Sequence, residues 1–291
     1  MLPFPAESLL LPILLVVALP GLMLALLIRQ HFRHQWFQQI QLTRLQSLRD
    51  LILNLQRHRG LSTGVLSGDS GMRAELENRR SHLDRLIREA PMDDARYAER
   101  WSGIADHWSR LRQTDNHTVE NNLDQHHQII RNALFLIQDI AADDRVAPHP
   151  ANQRCIWNEV LEAAEWSGQA RALGTGMAAA GTSSAAQRVR MRFLNDKIQD
   201  LSGTAFEALK DAASSGVSNQ HLKEAQQAVE RLLYEVETEL LTADPIVIPA
   251  KTYFDDATAT VDALFTLVAD TLGAMAEDNR PVRGNEALNR R

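Results

Sequence analysis

Arg59 and Arg171 occupy positions that a packed helix normally fills with apolar side chains. Leu45, Leu48, Ile52, Leu55, Arg59, Ser62 and Leu66 follow spacings of 3, 4, 3, 4, 3 and 4, the period of a buried seam. Trp157, Val160, Ala164, Ser167, Arg171, Gly174 and Ala178 repeat that spacing, with Arg171 in the fifth place. Both arginines are therefore expected to point inward, where an unpaired cation is strongly disfavoured and needs an anion. That anion is either a carboxylate fixed on a neighbouring helix or one that arrives from outside; snorkelling to a surface is the third outcome open to so long a side chain. Gly60, Ser62, Thr63 and Gly64 beside the first arginine leave room at it, as do Gly168, Gly174, Thr175, Gly176 and the alanines Ala178 to Ala180 beside the second. A guanidinium flanked by hydroxyls and close backbone suits a small planar oxyanion, because its forked N–H groups match two oxygens at once.

Other reactive residue types lack the company their chemistry requires. His126 and His127 diverge by about 100° on a helix, and neither they nor His117 form an i, i+4 ligand pair with a nearby carboxylate, so no metal is expected. Cys155, the single cysteine, rules out an intrachain disulfide and has no motif context for nucleophilic catalysis; it reads as a small buried residue. No GxxxxGK[ST], GxGxxG, HExxH or GxSxG pattern is present. Enzymatic function and a cofactor are therefore not expected. With 31 Lys+Arg against 37 Asp+Glu, a formal charge of −6, and tryptophans at helical spacings, nucleic acid is disfavoured as a partner.

The elements that must position the arginines are helices. Beyond residue 36 apolar residues recur at three- and four-residue spacings without strand-like alternation, over 291 residues of which 44% are hydrophobic. Breaks rich in Gly, Pro, Ser, Asn or Asp fall near Gly68–Gly71, Ala90–Asp94, Thr114–Asn116, Asp143–Pro150, Gly181–Ser184, Ser214–Ser218 and Asp244–Pro249, which gives eight helices. The break RVAPHP, ending at Pro150, divides them into two halves. Short loops between long helices predict up-down four-helix bundles over 37–145 and 150–277, with a disordered tail over 278–291. A shift of 112 residues sets RGLSTGV over RALGTGM, matching four of seven positions in the first helix of each half. Ahead of them, Leu9 to Ile28 runs twenty residues without a charge, the length of a membrane span, so 1–36 is expected to be an anchor and juxtamembrane segment. Arg29, Arg33, Arg44 and Arg49 follow the span and only Glu7 precedes it, which places the body on the cytoplasmic side.

QRHRGLSTGVL in the first helix, SGQARALGTGMAAAG in the fifth and IPAKTYFDDATATVDAL opening the last resemble, in order, the landmarks of the nitrate- and nitrite-sensing (NIT) domain family. The resemblance implies an all-helical fold of two four-helix bundles that binds nitrate or nitrite between them through arginines. By position it assigns anion contacts to Arg59 and Arg171, with Ser62 beside them, and a further contact to an arginine of the penultimate helix, for which Arg231 is the candidate. The stripe Leu222, Ala225, Val229, Leu232, Val236 and Leu240 leaves Arg231 at its border, where an ordinary solvated arginine is the competing reading. His58 and Ala170 stand where family members carry Glu before the motif arginine, which makes the site more electropositive and bears on nitrate selectivity. The expected function is a single-pass inner-membrane bacterial sensor that relays oxyanion occupancy to an output protein in trans, since the last helix ends about a dozen residues before the chain does. A homodimer through the anchor is one expected arrangement, and a periplasmic body is the second topology to test. The alternative is a helical scaffold of the inner membrane with both arginines in permanent ion pairs and no ligand.

Overall fold

The computed structural model describes residues 7–113, 118–143, 154–210 and 216–278, with side chains from residue 20 onward. Among these every regular element is helical and no strand occurs. Eight α-helices follow in order: α1 (Glu7–Leu66), α2 (Arg73–Glu89), α3 (Ala95–Leu111), α4 (Val119–Ala141), α5 (Leu161–Ala180), α6 (Ala185–Leu209), α7 (Asn219–Glu235) and α8 (Ala250–Asp278). The gaps at Gly68–Gly71, Ala90–Asp94, Gly181–Ser184 and Asp244–Pro249 coincide with breaks read from the sequence; the break near Thr114–Asn116 and parts of those near Asp143–Pro150 and Ser214–Ser218 lie outside the described residues. A π-helical turn, Ile156–Val160, leads into α5, and a second, Val236–Leu241, extends α7.

The ends are set by local chemistry. Asp94 caps α3 through Arg96 N–H, Thr118 caps α4 through Asn121 N–H, and Ser184 forms a reciprocal capping box with Gln187 at the start of α6. Gly181 ends α5 in the left-handed region at φ 68°, a conformation that costs a side-chain-bearing residue more.

In packing, α1 lies against α2 and α4, and α3 against α4; α5 lies against α6 and α8, and α7 against α6 and α8. Contacts of α1 with α5 and α8 join the two groups, so the helices bearing Arg59 and Arg171 are direct neighbours. The core of α1 is Leu45, Leu48, Ile52 and Leu55, all fully buried, and α5 is buried nearly all round. Both seams read from the sequence face inward except at Leu66, which is 37% exposed at the end of α1.

Before the core the picture reverses. Leu22, Met23, Leu24, Leu26, Leu27, Ile28, Phe32 and Trp36 are all exposed on a helix continuous with the body. The predicted span extends over residues up to 19 whose side chains lie outside the described set, as do the RVAPHP break, His117 and the tail after 278. Among the described residues the helix long and apolar enough to cross a membrane is α8, but half of that stretch is buried against α5, α7 and α1, which makes it a core helix.

Candidate functional site

The site lies where α1, α5 and α8 meet. Arg59 and Arg171 are both 0% exposed. The two copies of the repeat share a local device: Thr63 and Thr175 each donate through Oγ1 to the carbonyl of the arginine four residues earlier, at 2.7 Å. That bond turns the threonine back along its own helix. It leaves the guanidinium to find partners elsewhere.

Arg59 has found one. Its Nη1 and Nη2 donate to Glu165 Oε1 and Oε2 at 2.6 and 3.2 Å, a bidentate pair with a carboxylate that is only 5% exposed. Gln169 Nε2 and Gln56 Nε2 each add a 2.9 Å bond to the same carboxylate, so Glu165 accepts four N–H groups. A Cβ at residue 168 would fall 2.8 Å from Arg59 Nη2, so only glycine there lets the guanidinium lie against the backbone of α5.

Arg171 has no such partner. Its Nη1 donates to Thr258 Oγ1 at 2.8 Å, its guanidinium carbon sits 5.1 Å from the centre of the Phe254 ring, and its Nε and Nη2 are buried without a hydrogen bond. Burial brings its pKa down to about 9, and the charge of Arg59 pushes the same way. Asp262, which acts in the opposite direction, is ion-paired with Arg57 and keeps a second, buried oxygen without a partner. Two buried guanidinium groups thus face one buried carboxylate, a local excess of one positive charge. The bare glycine at 60 admits this arrangement, since a Cβ there would be 2.7 Å from Phe254 and 3.5 Å from Arg171 Nε.

On the α4 side a neutral hydrogen-bond chain backs the site. His126 Nδ1 lies 2.7 Å from the Asn122 carbonyl, which can only accept, so this nitrogen donates and His126 Nε2 accepts from His58 Nδ1 at 2.7 Å. That assignment leaves His58 Nε2 as a buried acceptor without a partner. Burial first, then His126, Arg80 and Arg79, hold the His58 pKa well below 6.5, in keeping with a neutral ring. Ser62 Oγ belongs to this side, 3.0 Å from the Arg59 carbonyl and 3.1 Å from Asn122 Oδ1.

Of the residues singled out in the sequence, the structure brings Arg59 and Arg171 together, sets Ser62 next to Arg59 with its hydroxyl toward α4, and leaves Arg231 exposed on α7. His126 bonds to His58, and His127 lines a cavity of about 40 Å³ between α4, α5 and α6 together with Leu123, Gln169, Leu173, Arg190 and Leu194. Cys155 is buried, and burial pushes its thiol up to about 11, away from the thiolate. The residues that spacing did not select are Glu165, Gln56, Gln169 and Thr258. Glu165 had a signal: from Ala163 to Ala180 it and Arg171 are the only charged side chains in a stretch dominated by small and apolar residues.

The sequence profile of a family described as nitrate and nitrite sensing matches residues 50–276. No curated protein and no solved structure gives a match.

Proposed function

Because the chain belongs to the family of nitrate and nitrite sensing (NIT) domains, a family of sensory input modules, we propose that it binds one nitrate or nitrite ion at the α1–α5–α8 junction through Arg171 and Arg59. The observation that carries this reading is Arg171, wholly buried with two donors unmatched. A buried polar group without a partner costs roughly 1–3 kcal/mol, and more when charged, so the fold keeps it at the expense of stability. One monovalent planar oxyanion cancels the local excess charge and occupies the Nε and Nη2 fork. Sulfate brings one charge too many, and chloride has no pair of oxygens for the fork.

Helices α1–α4 and α5–α8 then act as two bundles, and an anion held from α1 and α5 ties one to the other. Ligand shifts such an equilibrium only by its difference in affinity for the two arrangements; a tenfold preference is worth about 1.4 kcal/mol, enough for graded signalling to a partner in trans. The exposed apolar residues Leu22 to Ile28 support a membrane anchor continuous with α1, and the arginines that follow it favour a cytoplasmic body. For Arg59 alone the ligand-free scaffold reading has support, since its carboxylate partner is already in place. Calorimetry of the detergent-solubilised chain against nitrate, nitrite, chloride and sulfate tests the proposal: binding of nitrate or nitrite that Arg171→Ala abolishes is expected, and binding that survives it overturns the site.

A further inference from the structure

We infer that Glu165 is an internal stand-in for the ligand: its carboxylate holds the Arg59 fork until the arriving anion takes that fork and Glu165 is received by Gln169 and Arg190. The inference rests on the anion site proposed above. It starts from shape and charge. A carboxylate and a nitrate or nitrite ion are both planar, singly charged and able to present two oxygens at one edge, and the Arg59 edge is filled by Glu165 at 2.6 and 3.2 Å. An incoming oxyanion that engages Arg171 Nε and Nη2 has no claim on Arg59 Nη1 and Nη2 while Glu165 stays, and two anions side by side repel.

The structure also holds a receiving side. Gln169 Nε2 already donates to Glu165 Oε1 at 2.9 Å, and Gln169 Oε1 accepts from Arg190 Nη2 at 2.8 Å, so Gln169 links the buried carboxylate to a cation on α6. Gln169 and Arg190 both border the cavity of about 40 Å³, more room than a water molecule needs, and space into which the amide and the carboxylate can turn. Arg190 lies on the exposed side of α6 and stacks on Trp166 and Phe193, with centroid distances of 5.8 and 5.2 Å, which holds its charge at the edge of that cavity. Moving one carboxylate from the α1 side of α5 to the α6 side converts occupancy into a change of helix–helix pairing. Glu165 thereby sets ligand affinity, and Arg190 is a positioning residue that acts through it.

The test is nitrate titration of the full-length, detergent-solubilised chain by calorimetry, with helicity followed in parallel. Glu165→Gln keeps the shape but removes the competing charge and replaces one acceptor oxygen with an N–H donor, so its hold on the Arg59 fork is weakened and nitrate is expected to bind at least tenfold tighter. Arg190→Met is expected to weaken nitrate binding severalfold in the wild-type background and to have no effect in the Glu165→Gln background. Should Glu165→Gln fold poorly without anion, recovery of its helicity by millimolar nitrate but not by sulfate carries the same meaning, and Glu165→Asp, whose shorter reach loosens the grip on Arg59, gives intermediate tightening. Unchanged or weaker nitrate binding by Glu165→Gln, or an Arg190→Met effect that persists without the Glu165 charge, overturns the inference. If wild type binds nitrate and loses it with Arg171→Ala while Glu165→Gln changes nothing, the anion site stands and only the role of Glu165 falls; if neither wild type nor Glu165→Gln binds, the site itself falls.

Discussion

Arg59 and Arg171 are equally buried but differently matched, and that difference predicts mutational effects of opposite sign. Replacing Arg171 with Met removes a cation that has no carboxylate partner and keeps a side chain of similar length, so the ligand-free protein is expected to gain about 1–3 kcal/mol. Replacing Arg59 with Met takes the bidentate cation from the buried Glu165 and leaves it to Gln56, Gln169 and the more distant Arg190, which is expected to cost about 3–5 kcal/mol. Thermal melts of the two variants in nitrate-free buffer check both signs, and equal destabilisation would contradict the account. At this scale the sequence was informative for the cations, because a charge inside a 3-4 repeat is conspicuous. It was mute on Thr258 and the two glutamines, whose polarity is compatible with any face. Glu165 was conspicuous as the one acid between Ala163 and Ala180, but that it meets Arg59 was not, because the sequence does not say which neighbour α5 faces.

Close approach of helices depends on the small residues that line α1 and α5. A Cβ at residue 174 would lie 2.3 to 2.6 Å from the Tyr253 ring and hydroxyl, and that hydroxyl donates to the Ala170 carbonyl at 3.1 Å. Gly174→Ala is thus expected to destabilise by about 1–3 kcal/mol through overpacking of α5 against α8, and to weaken nitrate binding, since Thr258 and Phe254 on α8 hold Arg171. Gly103, which has open space around it, is the control: Gly103→Ala lies inside α3 and is expected to be neutral or stabilising. Melting both variants decides the matter. Helix number and breaks were readable because loop residues punctuate the pattern at each turn. The two π-helical turns were not, since a single extra residue in a helix leaves no mark on its composition.

Over the whole molecule, two properties follow from which groups face water. The folded state resists protonating His58, while the unfolded chain takes up that proton below about 6.5. More protons bound by the unfolded state means that stability rises with pH in that window. It is full above about 6.5 and is lost progressively as pH falls toward the depressed folded value; His127, brought down to about 2 chiefly by burial, adds to the same trend. Melting temperature is expected to drop between pH 7.5 and 5.5, with a shallower slope for His58→Gln; a flat profile would contradict a neutral buried ring. The exposed apolar stretch of α1 predicts that the full chain sediments with membranes and resists a carbonate wash, which fractionation checks. The apolar run was visible in hydropathy alone, whereas no motif points to a particular output partner.

The most direct measurement is an experimental structure of the protein grown with nitrate. A planar anion is expected within hydrogen-bonding distance of Arg171 Nε and Nη2, reaching toward Arg59 at the α1–α5–α8 junction. Nitrate bound elsewhere, with those two donors still unmatched, would contradict it.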